Sequence, residues 1–133
     1  MIRMIRTTKK TGDMGERAAR RFLRRAGYRI KARNFRTPHG EIDIIAEDRE
    51  YIVFAEVKTR QVRRDDRFGR PADAVNKEKR DRLRYSALYY LRSHPSGKKQ
   101  RMDIIEVYKE EKANGRMKVT DIKHFPAAFG QNG

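Results

Sequence analysis

The sequence predicts an α/β fold in a single domain of 133 residues, with the element order αβββαββ. Two observations carry this prediction. Apolar residues recur every three or four positions in two segments, as they do in amphipathic helices. The other ordered segments are short, rich in β-branched residues and bounded by glycine, proline or polar turns, as strands are. A chain of this length needs only one hydrophobic core, so the domain is expected to span residues 1–133.

The first helix is predicted from Asp13 to Ala26, with Asp13 as a possible N-cap and Gly27 as the stop. The second is predicted from Asn76 to Arg92. Its apolar residues are expected to be buried, namely Leu83, Ala87, Leu88 and Leu91. Its basic residues are expected to be exposed, namely Lys77, Arg80 and Arg84. Residues 1–10 and 127–133 are expected to be frayed.

Three strands are predicted at residues 28–33, 41–46 and 51–58, and short turns between them favour an antiparallel meander. Two more, at 102–108 and 117–125, flank a turn at Asn114 and Gly115 that predicts a hairpin. The arginine-rich segment from Thr59 to Asp73 shows no periodicity. It is predicted to be a mobile loop that closes over a substrate backbone.

The chain is strongly basic, with 34 lysines and arginines, 18 acidic residues and a formal net charge of +16. Such an excess repels itself unless an anionic partner screens it, and nucleic acid is the leading candidate. Five arginines of the first helix lie opposite its apolar face, although a run of charge is often only a solvated surface. The residues predicted to contact nucleic acid are Arg17, Arg20, Arg21, Arg24, Arg60, Arg63 and Arg64.

Missing features argue against other classes of protein. No run approaches the ~20 apolar residues of a membrane-spanning helix, and no apolar stretch near Met1 is long enough for a signal peptide. We therefore expect no membrane partner and a cytoplasmic location. The chain has no cysteine, and His39, His94 and His124 lie far apart, which argues against zinc. A metal would instead bind carboxylate oxygens, which Mg²⁺ prefers.

Charged residues interrupt two segments that are otherwise apolar. Asp43 lies in GEIDIIA (residues 40–46), and Glu56 and Lys58 lie in FAEVKTR (residues 54–60). Burying an unpaired charge is costly, so these positions indicate mutual pairing or a metal. Asp43 and Glu56, with a backbone carbonyl such as that of Val57, would supply oxygen ligands for Mg²⁺ or Mn²⁺. Alternation along residues 51–58 places Glu56 and Lys58 on one face with Ile52 and Phe54, and Tyr51, Val53, Ala55 and Val57 on the other. Lys58 can therefore contact both the attacking water and the scissile phosphate.

Structural explanations compete with these roles. Glu56 and Lys58 could form an ion pair at a strand end. Asp43 could pair with an arginine across the sheet, and Glu41 lies on the same face and competes with it for the site. Three tyrosines of the second helix could stack on bases, but helical aromatics are more often core residues, so no role is assigned to Tyr85, Tyr89 and Tyr90.

An acid on one strand followed by acid-x-lysine on the next resembles the pattern of the restriction-endonuclease-like superfamily. Over most of its length the chain resembles the YraN-like family of small bacterial proteins, through GERAARRFLRRAGYRI (15–30), GEIDIIA, VFAEVKTR (53–60), FGRPADAV (68–75) and RMDIIEV (101–107). The resemblance implies a restriction-endonuclease-like fold, with a central mixed β-sheet flanked by helices.

The order of these motifs is also similar to that of archaeal Holliday junction resolvases. That similarity implies that Glu16 joins Asp43, Glu56 and Lys58 as a catalytic residue, although Glu16 could equally pair with Arg20 on an exposed helix face. It further implies a magnesium-dependent endonuclease acting on DNA rather than RNA, with branched or junction DNA as a substrate and a homodimer as the cutting unit. The alternative is a non-catalytic nucleic-acid-binding protein that retains a nuclease fold.

Overall fold

The computed structural model describes residues 2–62 and 76–129, with side chains from Asp13 onward. Its helices and strands follow the predicted order αβββαββ. They are α1 (Ile2–Arg25), β1 (Arg29–Thr37), β2 (Gly40–Glu47), β3 (Tyr51–Gln61), α2 (Lys77–Ser93), β4 (Lys99–Glu111) and β5 (Met117–Phe125).

The described strands form one five-stranded sheet in the order β1-β2-β3-β4-β5. The first three strands are antiparallel to one another, as the predicted meander requires. The connection through α2 brings β4 parallel to β3, and β5 returns antiparallel to β4 through the predicted turn at Gly115, whose φ is +85°. The sheet is therefore mixed, and the α/β fold implied by the resemblance is confirmed.

The two helices cover opposite faces of the sheet. Ala19 and Leu23 of α1 pack against Val53 and Ala55 of β3 and their neighbours. On the other face, α2 packs against Ile52 and Phe54, with its own contribution from Leu83, Ala87 and Tyr90. The predicted alternation along β3 is thereby confirmed. Within the described residues, no helix is both long and apolar enough to cross a bilayer.

Several predicted boundaries and exposures were wrong. Helix α1 begins at Ile2 rather than at Asp13, because the helix continues through Gly12. A glycine inside a helix costs only about 1 kcal/mol relative to alanine. Leu88 is 55% exposed, whereas the Arg84 side chain is only 16% exposed, because α2 contacts the sheet along an arc centred on Leu83 and Tyr90. Strand β3 extends to Gln61, so the predicted loop cannot begin at Thr59.

Other predictions stay open. The rest of the predicted loop, from residue 63 to Asp73, lies outside the described residues, as do residues 1 and 130–133 of the termini that were expected to fray.

Asn76, predicted as the first residue of the second helix, is its N-cap, and its side-chain oxygen accepts the Lys79 N–H at 2.9 Å.

Candidate active site

Asp43 lies where β2 separates from β3. The pairing between these strands ends at Ile44 and Ala55, one residue after Asp43 in β2. Beyond that point the Asp43 carboxylate spans the gap and accepts a hydrogen bond from the backbone N–H of Val57, at 2.8 Å. Val57 lies between Glu56 and Lys58, so this contact brings the acid of one strand beside the acid-x-lysine motif of the next.

The electrostatics around Asp43 disfavour its ionised form. Burial is the main cause, and the carboxylates of Glu56, Glu16 and Glu41 add to it. The hydrogen bond from Val57 acts in the opposite sense, and the net result raises the pKa of Asp43 to about 8. All three acids predicted for the site therefore interact at one place, together with Glu41, the predicted competitor of Asp43.

Helix α1 brings Glu16 to this place through a close approach to β3. Gly15 is buried, and a Cβ atom added to it would lie only 1.9 Å from Thr59 Oγ1. Glycine therefore permits the helix to pack at this distance. Burial raises the pKa of Glu16, and a hydrogen bond from the Asn34 side chain is the main effect that lowers it.

Asn34 joins Glu16 to Glu41. With its amide oriented so that the nitrogen faces the acids, Nδ2 donates to Glu16 Oε1 at 2.9 Å and to Glu41 Oε2 at 3.2 Å. Asn34 has a φ of +50°, in the left-handed region that asparagine tolerates better than most residues. Sequence reasoning missed Asn34, because nothing local to β1 indicates that its side chain faces α1.

The acid-x-lysine motif forms an ion pair, with Lys58 Nζ 3.3 Å from Glu56 Oε2. Both side chains stay partly accessible, at 21% and 26% exposure, so neither is locked away from a substrate. Lys79, in the first turn of α2, lies beside Lys58, and the neighbouring ammonium group lowers the pKa of Lys79. Sequence reasoning missed Lys79 as well. The predicted start of the second helix at Asn76 places Lys79 in a first helical turn, but only the packing of α2 on the sheet places it beside Lys58.

A cavity of about 160 Å³ opens between β2, β3 and α2 beside this motif. Its charged lining residues are Glu41, Glu56, Lys79 and Arg82, with Gly40, Leu83 and Ser86 forming the remainder. A phosphate group would meet two cations here, and a metal ion would meet two carboxylates. The lining therefore carries charges of both signs, and its second carboxylate beside Glu56 is Glu41, the predicted competitor of Asp43.

The donor set fits a hard divalent cation. Asp43 and Glu56 offer carboxylate oxygens, and the unfavourable repulsion that surrounds Asp43 would be relieved by a positive ion. As they stand, the described residues contain no group of three or more acids or histidines close enough to hold a metal. A bound Mg²⁺ or Mn²⁺ would therefore need water or a substrate oxygen to complete its coordination, which is usual for Mg²⁺.

The predicted nucleic-acid contacts have mixed positions. Arg17, Arg21 and Arg24 are exposed on α1 as predicted, but Arg20 is only 8% exposed, so its predicted place on the open arginine face was wrong. It borders the apolar arc of α1, where burial and the nearby Arg33 lower its pKa and Glu16 opposes them.

Arg60 lies on β3 with its Nε 3.4 Å from the buried Glu106 carboxylate. Arg63 and Arg64 lie outside the described residues.

A second buried acid has a structural role. Asp103 of β4 is fully buried, and it accepts hydrogen bonds from Arg101, from His124 at 2.7 Å and from the backbone N–H of Ala127 at 2.9 Å. Burial alone would raise the pKa of Asp103, but these donors outweigh it and lower the pKa. The aspartate of the RMDIIEV motif therefore ties β4 to β5 and the segment after it.

The mixed sheet, the helices on its two faces and the acids of adjacent strands define a small α/β protein of restriction-endonuclease-like architecture. Within that class the chain belongs to the family described as "Uncharacterised protein family UPF0102", whose profile matches residues 15–107. This confirms the family resemblance seen in the motifs. The matched region includes Glu16, Asp43, Glu56 and Lys58.

Relatives in several bacteria cover most of the chain. This chain is 45% identical over 105 residues to a UPF0102 protein of Clostridium acetobutylicum, and the aligned region covers 78% of this chain and 84% of the relative. It is 41% identical to one of Desulfosudis oleivorans, over 78% of this chain and 83% of the relative. A UPF0102 protein of Symbiobacterium thermophilum is 44% identical over 112 residues, which is 84% of this chain and 91% of the relative.

Proposed function

We propose that this protein is a magnesium-dependent endonuclease that hydrolyses phosphodiester bonds in DNA, with Mn²⁺ able to replace Mg²⁺. The observation that carries the proposal is the hydrogen bond from Val57 to Asp43, because it sets the acid of β2 beside Glu56 and Lys58 of β3. Branched or junction DNA is the proposed substrate, and a homodimer would supply the two sites that symmetric cutting needs.

In this proposal Asp43 and Glu56 hold the metal. A bound divalent ion would supply Lewis-acid stabilisation of the phosphate and make water a better nucleophile at neutral pH. Lys58, 3.3 Å from Glu56, donates a hydrogen bond to the attacking water or to a phosphate oxygen. Glu16, held by Asn34 at the edge of the acidic cluster, accepts a hydrogen bond from the same water and orients it.

Substrate binding is assigned to cations around this centre. Lys79 and Arg82 line the cavity beside Glu56 and would contact the scissile phosphate or its neighbour. Arg17, Arg21 and Arg24 form an exposed face of α1 that would bind the phosphates of the duplex. Because phosphate contacts carry no base identity, this arrangement favours recognition by DNA structure rather than by sequence.

The test is a panel of labelled linear, flapped, forked and four-way DNAs, incubated with Mg²⁺, with Mn²⁺ or with EDTA. We expect cleavage of one or more branched forms with either metal and none with EDTA. Metal-independent cleavage would point to a contaminating or different activity. Absence of cleavage in every arm, with tight binding retained, would overturn the endonuclease proposal.

The second candidate is a non-catalytic nucleic-acid-binding protein. The observation that favours it is that Asp43 and Glu56 already have partners within the fold, the Val57 N–H and the Lys58 ammonium group. If these contacts only stabilise the sheet, removing either acid should lower the melting temperature, whereas a catalytic acid can be removed without loss of stability.

A further inference from the structure

Helix α2 exposes an aromatic face to solvent. Tyr85 is 55% exposed and Tyr89 is 39% exposed, and only Leu88, at 55%, accompanies them among the large apolar side chains that are exposed in the described residues. Tyr85 and Tyr89 are four residues apart, so their rings lie one above the other along the helix. Burial in the core, which is the usual explanation for helical tyrosines, does not apply to these two residues.

The turn between β1 and β2 extends this face and holds its rings in place. Thr37 Oγ1 and Ser86 Oγ are 2.9 Å apart, which fastens the turn to α2. A Cβ atom added to Gly40, whose φ is +141°, would lie 3.9 Å from side-chain atoms of Arg82 and Ser86. As a result the His39 ring lies 5.5 Å from that of Tyr85 at an interplanar angle of 40°, and we call His39, Tyr85 and Tyr89 the aromatic surface.

The aromatic surface adjoins the candidate active site. Arg82, whose side chain is 54% exposed, lines the cavity with Glu56 and Lys79 and precedes Tyr85 by one helical turn. A helix rises about 1.5 Å per residue, so the two tyrosines lie about 5 to 10 Å along α2 from Arg82. At a rise of at least about 3.4 Å per nucleotide, that distance is about three nucleotides at most, so a strand whose phosphate occupied the cavity would bring its next bases to these rings.

We infer that the aromatic surface binds unpaired bases by stacking, so that the protein selects nucleic acid with a single-stranded segment next to the cleaved phosphate. This deepens the proposed function. Flat exposed rings flanked by the cations Lys79 and Arg82 match the two chemical features of a single strand, its base faces and its phosphates. The bases of an intact duplex are already stacked on one another, so a duplex gains nothing from these rings. With a net charge of +16, the protein favours such a polyanion over a neutral protein surface.

Binding in EDTA tests this inference without cleavage. Fluorescence anisotropy would compare a labelled single-stranded thymidine 20-mer with a labelled blunt-ended duplex of equal phosphate number. Tyr85→Ala and Tyr89→Ala should each weaken single-strand binding by about tenfold and leave duplex binding within about twofold. Tyr85→Phe should retain wild-type affinity, because the ring, not the hydroxyl, makes the stacking contact.

Leu88→Ala is the matched control, because Leu88 is as exposed as Tyr85 on the same helix but has no π-face. It should bind both probes as wild type does, and circular dichroism melts would verify that all variants fold. The inference is overturned if Leu88→Ala loses as much single-strand affinity as the tyrosine variants, if the tyrosine variants lose affinity equally for both probes, or if they lose none.

Two further outcomes separate this inference from others. If the tyrosine variants bind nucleic acid normally but sediment as a smaller species than wild type, the surface is a protein contact and the inference is wrong. If the tyrosine variants lose single-strand binding as expected but wild type cuts nothing in the substrate panel, the aromatic surface stands and the endonuclease proposal fails.

Discussion

The backbone N–H of Val57 donates to the Asp43 carboxylate at 2.8 Å, across a gap where β2 and β3 no longer pair. A regular ladder would have placed a carbonyl opposite this N–H, so the separation of the strands gives the acid its position. The contact also fixes Asp43 relative to the Glu56–Lys58 ion pair on either side of Val57. The Asp43 carboxylate is therefore held by the backbone of β3 and not by another side chain.

Stability should depend on pH through Asp43. Its pKa is about 8 in the folded protein against about 3.8 for an unperturbed aspartate, so folding favours the protonated acid. The stabilisation is fully present below about pH 4 and is lost as pH rises through 8. Asp43→Asn keeps a neutral acceptor for the Val57 N–H. We therefore expect this variant to exceed wild type in unfolding free energy at pH 9 by at least about 1 kcal/mol, and by less at pH 5.

The measurement is urea unfolding from pH 5 to pH 9 in EDTA, with Glu111→Gln, an exposed acid at the end of β4, as the control. Glu111→Gln should follow the wild-type curve at every pH. Parallel curves for wild type and Asp43→Asn would show that Asp43 does not titrate in this range.

Gly15→Ala should displace α1 from the sheet. The added Cβ would lie 1.9 Å from Thr59 Oγ1, so the Thr59 side chain or one of the two elements must move, and overpacking of this kind typically costs about 1 to 3 kcal/mol of stability. Thr59→Ala removes the atom in conflict, so the double variant should recover much of that loss. A double-mutant cycle by urea unfolding would measure the coupling, and additive losses would contradict the proposed contact.

The exposed arginines of α1 should determine the salt dependence of duplex binding. Each phosphate contact contributes a slope of about 0.9 to the log-log plot of affinity against salt, so Arg17→Ala, Arg21→Ala and Arg24→Ala together should flatten that plot measurably. A matched control of equal charge is Lys112→Ala, Arg116→Ala and Lys118→Ala, which removes exposed cations from the β4–β5 turn and the start of β5. Equal flattening by both triple variants would mean that net charge alone, and not the α1 face, binds the duplex.

Local patterns predicted most of the fold. Alternation along β3 correctly separated Val53 and Ala55 from Ile52 and Phe54, because strand periodicity depends only on the backbone. The exposure of Leu88 and the burial of Arg20 were not predictable in this way. Both residues border an apolar helical face, and the position of the sheet decides on which side of the border each one falls.

The candidate site was predicted only in part for a similar reason. Asp43, Glu56 and Lys58 were found because charges in apolar strands are conspicuous in a sequence. Asn34 reaches this place from β1, where its side chain contacts Glu16 and Glu41. Lys79 reaches it from α2, which packs on the sheet beside Lys58. Neither residue stands out locally, so their participation depends on tertiary structure.

The central claim is that Asp43 and Glu56 hold a metal ion that the protein needs to hydrolyse a phosphodiester bond of DNA. Its most direct test is the nicking rate of wild type, Asp43→Asn and Glu56→Gln in Mg²⁺ on whichever DNA of the panel wild type cuts best, with binding and thermal stability measured in parallel. We expect both variants to fold and bind as wild type does and to lose at least about a hundredfold in rate. Variants that fold, bind and nick at the wild-type rate would contradict the claim.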